Sequence, residues 1–209
     1  MSTIDSRVAE RDIKILCEEI RKNNYIDPAD FERFNVKRGL RDVNGKGVVA
    51  GLTRICNVHG YLINEFERVP VDGELYYRGY RMSDLVNNFA AEDRFGFEET
   101  AYLLLFGELP NKDQLTEFNN ILSYYRLLPR NFTRDIIMKA PSKDMMNALA
   151  RCVLTLYSYD HKPDDTSIEN VLRQSLELIS RFPVMSVYSY QACKHYYEDT
   201  SLFIHAPKP

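Results

Sequence analysis

The residues best suited to chemistry lie in a loop rich in glycine and cations, residues 37–47. Three glycines and four Lys or Arg side chains occur within these eleven residues. Exposed backbone amides beside cationic side chains can hold a phosphate or a carboxylate. The same composition is typical of a solvated linker, so the residues alone leave both interpretations open.

The cysteines and histidines are spread along the chain. The cysteines lack the close pairing of a zinc or redox motif, which predicts isolated reduced thiols, and their spacing favours none of them as a nucleophile. His59, beside Gly60, is predicted to be a loop residue. The full set is Cys17, Cys56, Cys152, Cys193, His59, His161, His195 and His205.

A polar, Pro-containing segment, residues 158–165, is a candidate for a metal site. It carries Asp160, His161, Asp164 and Asp165. No spacing typical of zinc or calcium ligands supports such a site. The segment is therefore predicted to be a solvated connection, and no metal is expected.

Composition limits the function classes. A chain of 209 residues with 44% hydrophobic residues can form one large or two small domains. A net charge of -3 and a pI near 5.9 argue against a general nucleic-acid surface. No apolar run approaches the ~20 residues that span a bilayer, and the first fourteen residues are too polar for a signal peptide. These features predict a cytoplasmic protein.

Helical periodicity dominates the elements that must position these groups. Asp27 and Pro28 suit the start of a short helix whose buried face would be Phe31 and Phe34. The buried stripe of residues 97–106 is predicted to be Phe97, Ala101, Leu104 and Leu105, and residues 166–169 are predicted to cap the helix that follows. Pro183 is expected to break the last long helical stretch. The predicted helices cover residues 4–24, a short stretch after Asp27, and residues 83–91, 97–106 with Gly107 as C-cap, 111–125 after an Asn111/Gln114 capping box, 131–139, 145–157, 166–181 and 184–197.

A small antiparallel β ribbon is predicted between residues 52–58 and 74–77, joined by a long connection over residues 59–73. The fold class is therefore mainly α with a small ribbon. Three segments are expected: N-terminal helices in residues 1–36, the basic loop and ribbon in residues 37–80, and a helical part in residues 81–209.

Two motifs resemble the citrate synthase family. They are Arg78-Gly79-Tyr80, between a strand and a helix, and the apolar helix that ends in Gly107-Glu108-Leu109-Pro110. A weaker likeness covers residues 37–190. The resemblance implies the multi-helical N-terminal part of an acyltransferase that condenses acetyl-CoA, or a short acyl-CoA, with oxaloacetate in the tricarboxylic acid cycle. It also implies a homodimer with acetyl-CoA as a substrate and no permanently bound cofactor.

The resemblance also suggests which residues have roles. Family members bind coenzyme A phosphates with an Arg near the basic loop, where Arg41 is the best match and Arg38 the alternative, although the spacing contains a short insertion. Gln191 stands where relatives often have Arg, and Asp144 begins a stretch where they often have His-Pro-Met. The catalytic residues of the family follow the segment matched here. None is therefore expected before Pro209, and the chain is expected to be truncated before the catalytic region and inactive alone.

Two other hypotheses stay open. The chain could be a non-catalytic helical scaffold or interaction domain that shares the fold, or a coenzyme A-binding module that uses the basic loop. The enzyme hypothesis is favoured because two specific motifs and the order of the helices agree with it.

Overall fold

The structure is a computed structural model that describes residues 6–37, 39–41, 47–64 and 67–205, with side chains described from residue 11 onward. The chain forms two compact units, one of Glu18–Leu115 and one that combines Met1–Cys17 with Thr116–Pro209. The predicted division into three segments stays a prediction.

The described residues are mainly helical, as predicted, with one small antiparallel sheet. Sequence reasoning anticipated most of the helices. The helices are α1 (Ser6–Asn23), α2 (Pro28–Arg33), α3 (Met82–Ala91), α4 (Phe97–Phe106), α5 (Lys112–Tyr125), α6 (Met145–Leu156) and α7 (Ile168–Glu198), with a π-helical turn at Thr133–Met138 and a 3-10 turn at Tyr157–Tyr159. No helix in the described ranges is long and apolar enough to cross a membrane.

The β ribbon is longer than predicted. Strand β1 (Cys56–Asn64) pairs with β2 (Glu67–Tyr77), and β2 pairs with the short β3 (Tyr80–Arg81). The prediction that His59 lies in a loop is wrong, because His59 pairs with Glu74 within the hairpin. Pro70 lies in the part of β2 that β3 does not reach, opposite Tyr61 and beside a shift in the register of β1, and proline in strands is found at such edges and irregularities.

Two helices in the unit Glu18–Leu115 expose side chains that were predicted to be buried. Helix α2 begins as predicted, with the Asp27 carboxylate accepting from the Ala29 N–H at 2.9 Å. However, Phe31 and Phe34 are 42% and 50% exposed, and this six-residue helix has no buried residue. In α4 the buried residues are Tyr102, Leu103 and Phe106 rather than the predicted stripe through Phe97 and Leu105. An uninterrupted apolar run leaves periodicity unable to select a face.

The unit of residues 1–17 and 116–209 has its own core. Helices α6 and α7 pack with the π-helical turn around eight buried residues: Phe132, Ile137, Cys152, Leu156, Val184, Met185, Tyr188 and Ala192. The predicted break at Pro183 is wrong, since α7 continues through it. Proline removes one helical hydrogen bond, yet burial of Val184 and Met185 directly after it favours continuation.

The predicted caps are confirmed. The Asn111 side chain accepts from the Gln114 N–H at 2.9 Å, and the Gln114 side chain accepts from the Asn111 N–H at 2.8 Å. These reciprocal bonds form the capping box of α5. Ser167 caps α7 by accepting from the Asn170 N–H, and Gly107 ends α4 with φ of +89°.

Candidate functional site

The basic loop is closed at its described ends. The Lys37 N–H donates to the Val49 carbonyl at 2.7 Å, and Arg41 and Gly47 form an isolated antiparallel bridge. Arg41 is exposed, whereas Arg38 lies outside the described residues. Binding of coenzyme A phosphates by either arginine stays a prediction.

The Arg-Gly-Tyr motif forms a polar junction within the unit Glu18–Leu115. Arg78 and Gly79 turn the chain between β2 and β3 with φ of +49° and +89°. The Arg78 guanidinium then donates to the Asn23 carbonyl at 3.4 Å, the Asn24 side-chain oxygen at 2.5 Å and the Leu104 carbonyl at 2.9 Å. Arg78 therefore reaches the C-terminal ends of α1 and α4.

Helix ends explain why a cation suits this position. The last carbonyls of a helix have no partner within the helix and carry the negative end of its dipole. Burial lowers the pKa of Arg78, but an arginine stays charged at neutral pH. In the described part of the chain its Nε atom is buried without a hydrogen-bond partner. The role of Arg78 here is to hold two helix ends in place.

The second motif meets the first at the same junction. The Asn23 side-chain amide donates to the Phe106 carbonyl at 2.7 Å, and that of Asn24 donates to the Leu105 carbonyl at 3.3 Å. At Gly107 a Cβ atom would lie 2.8 Å from the Cβ of Asn23. Glycine is thus required both by the positive φ and by the close approach of α1.

A second polar centre lies in the unit of residues 1–17 and 116–209. Arg173 donates to both carboxylate oxygens of Asp160, at 2.7 and 2.8 Å, and to one oxygen of Glu177 at 2.6 Å. Arg181 donates to the other Glu177 oxygen, also at 2.6 Å. We call these four residues, Asp160, Arg173, Glu177 and Arg181, the ion-pair network.

The network shifts the titration of two of its members, Asp160 and Arg173. Burial raises the pKa of Asp160, but hydrogen bonds from Arg173, the Lys162 N–H and Gln174 outweigh burial and lower it to about 2. Burial lowers the pKa of Arg173, and its bonds to Asp160 and Glu177 raise it above its usual value. Asp160 and Arg173 are therefore both charged at neutral pH.

The acidic residues of the polar segment, residues 158–165, pair with protein donors. Asp160 belongs to the ion-pair network, Asp164 accepts from the Tyr157 hydroxyl at 2.9 Å, and Asp165 accepts from the Ser167 N–H at 2.9 Å. Within the described ranges, no group of three His, Cys, Asp or Glu side chains is arranged to hold a metal ion. The four cysteines are free thiols.

Sequence reasoning missed the ion-pair network. Asp160 lies 13 residues before Arg173, outside α7, and folding brings it to the other three members. One signal was present, because Arg173, Glu177 and Arg181 follow one another at i, i+4 spacing on α7. Such spacing predicts helical ion pairs but does not reveal the fourth member.

The described residues define a helix-dominated fold in which a β-hairpin leads through an Arg-Gly-Tyr turn into a helix. Solved citrate synthases share this fold. The enzyme from Pyrobaculum aerophilum superposes with a TM-score of 0.55 at 24% identity, covering 74% of this chain and 38% of that chain. The citrate synthase from Thermoplasma acidophilum, in a ternary complex with carboxymethyl coenzyme A and oxaloacetate, superposes with a TM-score of 0.56 at 20% identity. The match covers 83% of this chain and 39% of that chain.

A family model described as "Citrate synthase, C-terminal domain" matches residues 40–206, and the chain therefore belongs to the citrate synthase family. Citrate synthase of Corynebacterium glutamicum is 31% identical over 139 residues, which are 63% of this chain and 30% of the relative. The 2-methylcitrate synthase 1 of the same organism is 29% identical over 150 residues, which are 72% of this chain and 34% of the relative. The chain thus spans about a third of the length of these relatives.

Proposed function

We propose that this chain is the N-terminal part of a citrate synthase-like acyltransferase, which condenses acetyl-CoA or a short acyl-CoA with oxaloacetate. The observation that carries the proposal is the family match over residues 40–206. The names of the relatives, citrate synthase and 2-methylcitrate synthase, support an acyl-CoA donor. The oxaloacetate and coenzyme A analogue in the Thermoplasma acidophilum complex support the two substrates.

We further propose that the reacting groups of the parent enzyme lie outside this chain. The condensation needs a carboxylate to remove a methyl proton, imidazoles to polarise carbonyl oxygens, and arginines to hold a dicarboxylate. The chain spans about a third of the length of its relatives, which supports the proposal. In the described ranges the His195 ring contacts the Thr200 carbonyl at 2.7 Å rather than a carboxylate.

Product detection tests the inactivity of the chain. The purified 209-residue protein is mixed with acetyl-CoA and oxaloacetate, and citrate is measured by mass spectrometry, because the four free thiols would interfere with thiol reagents. The expected result is no citrate above a control without protein, while a full-length citrate synthase gives a signal. Citrate production by the chain above that control would show that it contains its own catalytic groups.

Coenzyme A binding is a separate part of the proposal. We propose that Arg41 binds the coenzyme A phosphates, with Arg38 as the alternative. Calorimetric titration with coenzyme A is compared among the wild type, Arg41→Ala, Arg38→Ala and Arg54→Ala. Arg54 is the matched control, since its exposed side chain lies in the same unit and pairs with Asp30. Loss of binding in Arg41→Ala or Arg38→Ala alone supports the assignment, and absence of heat with millimolar coenzyme A in the wild type overturns it.

We further propose that the parent enzyme is a cytoplasmic homodimer of the tricarboxylic acid cycle that uses acetyl-CoA as a substrate and holds no permanent cofactor. Family membership supports this extension. Light scattering of the full-length protein over a range of concentrations tests the dimer, and a constant monomer mass would contradict it.

A further inference from the structure

A cavity of about 680 Å³ lies within the unit of residues 1–17 and 116–209. Its walls come from α1, the end of α5, the segment around the 3-10 turn, and the first half of α7. This volume falls within the roughly 300–1,000 Å³ typical of small-molecule sites. We propose that the cavity binds a small organic anion that carries carboxylate or phosphate groups.

The first argument is that the acidic groups of the cavity are already engaged. Asp160 and Glu177 accept from the arginines of the ion-pair network. Asp165 accepts from the Ser167 N–H, and Glu169 also has a partner. A cation that entered the cavity would therefore have to compete with existing bonds for every one of these four carboxylates.

The second argument is that basic groups of the same cavity remain available. Lys14 and Lys162 line it, and within the described part of the chain neither ammonium group has a hydrogen bond or an ion pair. Arg181 uses its Nε for the Leu127 carbonyl and its Nη1 for Glu177, which leaves Nη2 for another acceptor. These donors have the charge and the hydrogen-bonding capacity to hold an anion.

A tyrosine hydroxyl strengthens the argument. Tyr125 lines the cavity and is only 9% exposed as a whole, and among the described residues no side chain or carbonyl accepts from its hydroxyl. Burial, followed by the nearby Glu177 charge, raises the pKa of Tyr125 to about 12. The hydroxyl is therefore protonated at neutral pH and can donate a hydrogen bond to an anionic ligand.

The remaining walls suit the carbon skeleton of such a ligand. Tyr124, Pro129, Leu156 and Tyr159 line the cavity beside the charged groups. An apolar wall with a few convergent polar groups is the usual composition of a ligand site. We therefore expect an anion with an apolar body rather than a bare inorganic ion. This inference does not depend on the proposed acyltransferase function.

Calorimetric titration of the whole chain tests the site with two anionic probes and one neutral probe. Phthalate offers carboxylates and phenyl phosphate offers a phosphate, each on an aromatic ring, while phenol offers the same ring without charge. We expect at least one anion to bind with a stoichiometry of one and phenol not to bind. Binding of phthalate alone or of phenyl phosphate alone identifies the head group, and both results support the site.

Variants locate the binding. The double variant Lys14→Gln/Lys162→Gln should weaken anion binding by roughly tenfold, and Tyr125→Phe by a few-fold, because each change removes a donor that the anion would use. Lys139→Gln is the matched control: Lys139 is an exposed lysine outside the cavity that pairs with Asp135. Its affinity should stay within about twofold of wild type.

Several results would overturn the proposal. The first is that neither anion gives a heat of binding at about 10 mM, a concentration above the Kd of a specific site. The second is that phenol binds as tightly as the anions, and the third is that Lys139→Gln weakens anion binding as much as the double lysine variant does. Circular dichroism establishes that each variant is folded. If Tyr125→Phe does not fold, the double lysine variant, whose substitutions leave the core intact, gives the decision.

Discussion

Each of the two units contains one partly buried arginine that joins elements within that unit, and the two arginines have different partners. Arg78, in the unit Glu18–Leu115, donates only to neutral oxygens at the ends of helices. Arg173, in the other unit, donates chiefly to the carboxylates of Asp160 and Glu177. Burial lowers the pKa of Arg78, whereas bonds to carboxylates raise that of Arg173 above its usual value.

The difference has an energetic consequence. Removing Arg78 would leave neutral carbonyls without a donor, which costs about 1–3 kcal/mol. Removing Arg173 would leave the partly buried Asp160 carboxylate without its cationic partner and Glu177 with Arg181 alone, which costs more. The motif that is easiest to recognise in the sequence is thus the less sensitive of the two centres.

The largest effect is expected for Arg173→Met. Loss of the guanidinium leaves Asp160 and Glu177 without their shared partner, and the free energy of unfolding should fall by about 3 kcal/mol. Urea unfolding measures it. Arg134→Met is the matched control, because Arg134 pairs with Asp135 at the surface, where its side chain is 66% exposed. We expect the control to lose much less stability than Arg173→Met, because solvent screens an exposed ion pair, and equal losses would contradict the comparison.

Arg78→Met should reduce the free energy of unfolding by about 2 kcal/mol, because the carbonyls of Asn23 and Leu104 lose a charged donor. Arg81→Met is a suitable control, since Arg81 lies nearby and pairs with Glu74 at a more exposed position. A loss for Arg78→Met that exceeds the loss for Arg173→Met would reverse the ranking of the two centres.

A pair of glycine variants tests the close packing at the Arg78 junction. Gly107 and Gly79 both have φ of +89°, but only at Gly107 would a Cβ atom meet another residue, at 2.8 Å from Asn23. Gly107→Ala should therefore cost about 1.5 kcal/mol or more, and Gly79→Ala about 1 kcal/mol. Thermal unfolding compares the two, and equal shifts in Tm would mean that α1 does not approach Gly107 closely.

The smallest expected effect is on the stability of the fold at acidic pH. The pKa of Asp160 falls from 3.8 to about 2 on folding, so its ion pair stabilises the fold above pH 4 and loses this effect as the pH falls toward 2. After screening by solvent the contribution is about 1 kcal/mol. Asp160→Asn should flatten the fall in stability between pH 4 and pH 2. Asp135 also has a pKa of about 2, so Asp135→Asn serves as the surface comparison.

Local chemistry made much of the helical architecture predictable. The capping pairs at Asn111 and Ser167 and the glycine end of α4 lie within a few residues of the helices they begin or end, so their geometry is determined locally. The hairpin was underestimated because residues 59–73 contain turn-forming residues and Pro70, which local rules assign to a loop. Pairing across the hairpin overrides that local preference.

Composition, periodicity and two short motifs were enough to predict the class of fold, the family resemblance and the free thiols of the cysteines. Three further features became visible in the folded chain: Arg78 supports helix ends, α7 continues through Pro183, and the ion-pair network borders a cavity. The physical reason is that these features depend on burial and on contacts between residues far apart in the chain. A helical pattern specifies which residues share a face, but packing specifies what that face meets.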